Sequence, residues 1–265
     1  MNDLLSKEQS VIIDATNTTM KARKRILSEC KFPCSKEVQL VATPIEECIS
    51  RDRFRERSVG KDVIKKFESS FQCPQYFEGF DSIICEEWET SSLWPIARYI
   101  GEDLTIKMNE FQQYNPHHLY TVGKHCTKQS ELISDYCEHH KQFKRWQKKV
   151  KVAGMFHDIG KLYTQSFDEN GIAHYYSHDS VGTYFLASHP EVLCYAWEED
   201  LKKTDFLDIL FLINFHMRAH NDFSSSKAEN KYRSLFGNER FNLLMAFGEC
   251  DRKATGTYFE YTSKN

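Results

Sequence analysis

The stretch "AGMFHDIGKL", residues 153–162, ends an apolar run on His157 and Asp158, two side chains that bind metal ions, and follows them at once with Gly160 and Lys161. The periodicity predicts a helix over residues 143–158. Asp158 then sits where the apolar segment 150–156 meets Ile159-Gly160. From there its carboxylate can leave the core and reach an ion.

Working outward, apolar residues recur every three or four positions through 120–136, 180–187, 207–216 and 240–252 as well. These segments predict a helical second half. Near their ends stand further metal-binding side chains: His125 in "LYTVGKHC", His178 in "YYSHDSVG", His216 in "LINFHMRAH" and Asp251 in "FGECDRKATG". Helices packed as a bundle can aim such groups at one point. Imidazoles with carboxylates suit a borderline divalent ion. The chain has eleven histidines, so a histidine alone carries little weight. His117, His118, His139, His140, His174, His189 and His220 are read as ordinary helix or surface residues.

The ordered series is more specific than its members. "NPHHLYTVGKH", "MFHDIGK" and "SHDSVG", followed by His216 and Asp251, resemble the HD-domain superfamily of metal-dependent phosphohydrolases from Asn109 to about Gly256. The modules beside nucleotidyltransferases and RNA-repair kinases look similar. The resemblance implies a primary metal set of His125, His157, Asp158 and Asp251. His178 and His216 would hold a second ion or face the scissile phosphate. Lys161 would neutralise phosphate charge, and Asp158 would bridge two ions. The implied cofactor is one or two divalent metal ions, Mn, Fe, Co, Ni, Zn or Mg. Such an ion lowers the pKa of water and polarises a phosphoryl oxygen.

The first half reads differently. "VIID" (11–14), "EVQLVAT" (37–43) and "DSIICEEW" (81–88) predict strands; residues 20–29, 44–56 and 61–71 predict helices between them. Alternating elements suggest a parallel sheet. "VIIDATNTT", the arginines after "EEC" (Arg51, Arg53, Arg55 and Arg57), "VGKDVI" and "EGFD" resemble the later part of a P-loop polynucleotide kinase. No G-x-x-x-x-G-K-[ST] cradle accompanies them. The resemblance thus implies a truncated kinase-like sheet with no kinase activity of its own. Residues 11–14 would pair directly with residues 40–43, or a P-loop-bearing partner chain or second copy would fill the place. Ser91, Ser92 and Pro95 interrupt the periodicity, and the expected division is 1–95 for this α/β part and 96–265 for an all-α bundle, α+β overall.

Composition bounds the function. Lys+Arg is 35 against Asp+Glu 38, a net of -3, so no global basic field exists to hold long nucleic acid. No apolar run reaches bilayer length. The nine cysteines form no framework; Cys30 and Cys34 are the nearest pair. A cytoplasmic chain with free thiols is expected. The expected activity is phosphohydrolysis of phosphate esters, with the kinase resemblance pointing to 2′,3′-cyclic or terminal phosphates of RNA or DNA ends. The alternatives are a nucleotide or cyclic-nucleotide phosphohydrolase and a non-catalytic nucleotide-binding module paired with a P-loop partner.

Overall fold

The computed structural model describes residues 1–85, 90–198, 200–221 and 225–256, apart from the side chains of 90–95 and 221. The chain opens with a single turn, α1 (Asn2–Leu5), and α2 (Met20–Glu29). Thr19 starts α2 by accepting a bond from the Ala22 amide at 3.2 Å, which satisfies one of the free donors of the first turn. β1 (Glu37–Leu40), α3 (Ile45–Arg53), α4 (Lys61–Ser69) and β2 (Ser82–Cys85) follow. β1 and β2 pair in parallel, with Glu37 opposite Ser82 and Leu40 opposite Cys85. The helical crossover supplies the length that parallel pairing needs.

The expected three-strand arrangement is corrected here. Residues 11–14 form no strand, and Ile12 is 93% exposed. Three apolar residues make a strand only beside a partner, and β1 takes β2 instead of residues 11–14. Residues 86–88 of the expected third strand lie outside the described residues. Arg51, Arg53, Arg55 and Arg57 are all exposed, whereas Asp52 between them is buried. Its carboxylate accepts from Ser58 Oγ at 2.6 Å and from the amides of Val59 and Gly60 at 3.1 and 2.9 Å, closing the loop after α3.

The helical half begins with α5 (Thr90–Glu110), which runs without a break through Ser91, Ser92 and Pro95. The interruption expected there is corrected: buried Ala97, Leu104 and Met108 fall on one helical face, and that packing outweighs local propensity. Next come α6 (Val122–His139), the 3₁₀ segment Lys141–Trp146 and α7 (Gln147–Phe156). A single turn, α8 (Lys161–Thr164), leads into an antiparallel hairpin of β3 (Gln165–Phe167) and β4 (Ala173–Tyr175), so this half is not all-α. Then follow α9 (His178–Ser188), α10 (Pro190–Trp197), α11 (Lys203–Asn221), α12 (Ser226–Phe236) and α13 (Asn238–Ala254).

α11 is the axis of the bundle. Phe206, Leu207, Ile209 to Ile213 and Phe215 are all buried, the all-round apolar pattern of a helix enclosed by others. It packs against α7, α9 and α13, while α6 packs against α7, α13 and α5. The same core reaches Leu40, Phe71, Cys73 and Ile83 of the first half. Asn214 stitches the halves together. Its Oδ1 accepts from the Cys73 amide and its Nδ2 donates to the Phe71 carbonyl, both at 3.0 Å and buried. Asn214→Ala strands two backbone groups, each worth about 1–3 kcal/mol when left unpaired. A single cooperative urea transition shifted to lower midpoint is expected. An unchanged midpoint would mean that the halves are held by something else.

Candidate metal centre

Four helices and one helix end deliver the site. His125 lies in the first turn of α6, His157 and Asp158 just past α7, His178 at the start of α9, His216 in α11 and Asp251 in α13. All six are buried. Gly160 and Gly182 let the chain after Asp158 approach α9 backbone to backbone: a Cβ on Gly160 would stand 2.0 Å from the His178 carbonyl oxygen.

Asp158 divides the site in two. Its Oδ2 lies 3.3 Å from His125 Nε2 and 3.5 Å from His157 Nε2. Its Oδ1 lies 3.2 Å from His178 Nε2 and 3.7 Å from His216 Nε2. Asp251 Oδ1 joins the first group, 2.9 Å from His125 and 3.4 Å from His157. Two buried sets that could hold an ion result: His125, His157 and Asp158, and Asp158, His178 and His216.

The imidazoles are oriented from behind. Nδ1 of His157, His178 and His216 faces the carbonyl oxygens of Gly154, Tyr175 and Ile213 at 2.9, 2.8 and 2.7 Å. A carbonyl only accepts, so each Nδ1 carries a proton and each Nε2 faces inward, offering a lone pair whenever the imidazole is neutral. His178 Nε2 and His216 Nε2 then face each other at 3.1 Å. Two lone pairs repel unless a positive charge lies between them. Burial first, then the neighbouring His178 and His157, hold the His216 pKa down. The donor set therefore fits a divalent cation.

The electrostatics of the first group lead to the same conclusion. Burial opposes charging His125, but the Asp158 and Asp251 carboxylates outweigh it and raise its pKa to about 9. His157 is likewise held well above its ordinary value, against burial, chiefly by Asp158. Burial works against ionising both aspartates. Lys161 and His157 nevertheless hold Asp158 well below the usual carboxylate range, and His157 with His125 does so for Asp251. A field that draws protons onto imidazole draws a cation in the same way.

Lys161 is held within the site. It is 4% exposed, and its ammonium meets Asp158 Oδ2 at 2.6 Å, Gln113 Oε1 at 2.8 Å and His118 Nε2 at 3.4 Å. Its three N–H groups meet three protein acceptors. Its charge balances Asp158.

His118 and His220 depart from the ordinary helix or surface role expected of them. His118 packs edge-on against His125, with ring centroids 4.9 Å apart. Burial, then Lys161 and His125, lowers its pKa to about 3. His220 Nε2 lies 2.8 Å from Asp251 Oδ2. One signal was available for His220: it stands four residues after His216, on the same helical face. His118 lies in an aperiodic segment, where no spacing singles it out. His117, His139, His140, His174 and His189 contribute nothing to either ion set.

The HD domain model matches residues 118–239, which takes in His118, His125, the His157–Asp158 pair, His178, His216 and His220 and stops short of Asp251. No curated protein and no solved structure matches the chain. The C-terminal half thus carries an HD domain over residues 118–239, which supports reading that half as a member of the HD-domain phosphohydrolase superfamily.

Proposed function

We propose that the chain hydrolyses phosphate esters at two divalent cations bridged by Asp158, and that the ester is a terminal or 2′,3′-cyclic phosphate of an RNA or DNA end. The observation that carries the reading is the division of Asp158, one oxygen to each pair of imidazoles. His125, His157 and Asp251 would complete one ion's shell, and His178 and His216 the other's. When bound, such ions supply Lewis-acid charge and bring the pKa of water towards neutrality.

The chain's own residues do the rest. The carbonyls of Gly154, Tyr175 and Ile213 keep three imidazoles in the ligating tautomer. His220 fixes the outer oxygen of Asp251. Lys161 keeps Asp158 ionised and oriented, itself held by Gln113. Burial of the whole set excludes bulk water and strengthens each charge interaction. A non-catalytic module has no need for this many oriented donors.

The rim supports a nucleotide-bearing substrate. Tyr114, next in sequence to Gln113, is 62% exposed, and its ring pairs with that of Phe167, 55% exposed, at 5.9 Å. Tyr114 has a φ of +44°, unusual for a bulky residue. A pair of exposed rings that starts one residue along from Gln113, which holds Lys161, offers stacking to a base. Free nucleotides would use the same rim, so the test is a panel. End-phosphorylated and cyclic-phosphate oligonucleotides, free and cyclic nucleotides and p-nitrophenyl phosphate are compared with added Mn, Fe, Co, Ni, Zn or Mg. Turnover on oligonucleotide ends should exceed the others. Tyr114→Ala should raise KM for base-carrying substrates about fivefold or more and leave p-nitrophenyl phosphate unchanged. Faster turnover of free nucleotides would select the nucleotide alternative. No turnover with any metal, by a protein that binds metal, would reject the enzyme reading.

A further inference from the structure

Cys30 and Cys34 bracket the turn that leads out of α2 towards β1. Their Sγ atoms stand 3.4 Å apart, with Cys34 exposed and Cys30 half-buried. The other thiols are placed differently. Cys73, Cys126, Cys137, Cys194 and Cys250 are buried, and burial above all pushes Cys137 and Cys250 up to about 12 and Cys194 up to about 11. Half-buried Cys48 contacts the Tyr184 hydroxyl at 3.8 Å, and Cys85 lies at the end of β2.

The two sulfurs face each other because the turn is pinned at both ends. On the α2 side, the Cys30 amide donates to Leu27 O at 3.3 Å. The Asn2 side chain clamps the next peptide, donating to Glu29 O at 2.9 Å and accepting from the Lys31 amide at 3.1 Å. On the β1 side, the Lys36 amide donates to Asp81 Oδ2 at 2.8 Å. Residues 32–35 between these clamps carry no regular structure, so they can follow a small movement of the sulfurs. Closing from contact to a bond of about 2.05 Å needs only side-chain rotation and a small shift of this loop. A short interval with fixed ends has little closure entropy left to lose.

We infer that Cys30 and Cys34 form a dithiol that a low-molecular-weight disulfide, such as oxidised glutathione, converts into an intramolecular disulfide. The more exposed Cys34 thiolate attacks one sulfur of the small disulfide. That S–S bond breaks, a protein–small-molecule disulfide forms, and one small thiolate leaves and takes up a proton. The Cys30 thiolate then attacks Cys34 Sγ and displaces the second small thiolate, which also takes up a proton. Two protein thiols are oxidised, and one small disulfide is reduced to two thiols. The hydrogen bond shared with Cys30, and then desolvation, holds the Cys34 thiol above its ordinary value, so mildly alkaline buffer favours the exchange. This site is independent of the phosphohydrolase reading.

Trypsin makes the outcome readable. It cuts after Arg25, Lys31 and Lys36, and the cut at Lys31 falls between the two cysteines. The whole chain is incubated with oxidised glutathione at mildly alkaline pH, alkylated and digested, and Cys30→Ser is treated in parallel. Wild type should yield residues 26–31 joined to residues 32–36, in a species that disappears on reduction. Cys30→Ser should accumulate a glutathione adduct on Cys34 instead. The inference is overturned if wild type accumulates the same adduct as Cys30→Ser with no joined peptide, or if both thiols stay alkylatable in wild type.

Discussion

Asp158→Ala should lower turnover by roughly three orders of magnitude or more, the scale of losing a metal-activated nucleophile. It should also cut bound metal in both halves of the site. The reason is the division of this carboxylate: one side chain faces His125 and His157 through Oδ2 and His178 and His216 through Oδ1. Among the described residues it alone belongs to both ion sets. Stability needs separate treatment, because Lys161 sits 2.6 Å from Asp158 Oδ2 and is buried. Removing one partner of a buried pair costs about 3–5 kcal/mol, so activity must be expressed per folded molecule. Asp158→Asn is the sharper variant: it keeps the shape but removes the charge and turns one acceptor oxygen into an NH2 donor, which cannot ligate an ion. Turnover, bound metal and circular dichroism measured together on both variants decide the matter. A metal-replete, active Asp158→Asn protein would show that the carboxylate is a helix-end residue with no part in the chemistry.

The histidine series was legible because each member sits in its own short motif, and the helical periods around those motifs place them at helix ends. His125, His157, Asp158, His178, His216 and Asp251 meet in space as that spacing suggests. The positioning residues were not legible in the same way. Gln113 earns its place by a side chain shared between Lys161 and the Tyr120 carbonyl, a relation that depends on packing and leaves no local pattern. The contacts of Lys161 were not legible for a related reason: proximity to "HD" says that its charge is near the site but not where its three hydrogens go.

Regular structure failed in both directions. "VIID" carries strand propensity, yet a strand is a property of a pair, and nothing in residues 11–14 says that β1 pairs elsewhere. The β3–β4 hairpin was missed although its turn signal is present. Asp168 Oδ1 accepts from the amides of Asn170 and Ile172, both at 2.9 Å, and Gly171 takes a φ of +75°, as an Asn-Gly turn prefers. Strands of three residues are too short to show alternation. The hairpin matters for the site, because it bridges the chain from Lys161 to His178, and Tyr175 at its end donates to Gln113 O at 2.5 Å.

Gly160→Ala should be among the most damaging single-methyl changes in the chain, and it tests why the motif continues past His-Asp. The φ at Gly160 is −62°, so backbone freedom is not the issue; alanine adopts that conformation readily. Space is the issue. The added Cβ would meet His178 O at 2.0 Å, Gly182 N at 2.7 Å and His178 C at 2.8 Å. All three are backbone atoms of α9, and no rotamer change relieves them. Gly182 faces back in the same manner: its own Cβ would stand 2.9 Å from Gly160 N. Relief therefore requires α9 to move away from the chain after Asp158, and His178 moves with it. The 3.2 Å approach of His178 Nε2 to Asp158 Oδ1 opens first, while the group formed by His125, His157 and Asp251 is carried by α6, α7 and α13 and stays together. Overpacking of this kind costs roughly 3 kcal/mol, which in a chain of this size lowers Tm by about 6–12 °C. Bound metal should fall towards half, with turnover lost beyond the fraction unfolded. Melting temperature, metal stoichiometry and turnover on one preparation give the answer. Wild-type stability with wild-type metal content would mean that α9 has room to spare and that the glycine after His-Asp-Ile does not set the distance between the two halves of the site.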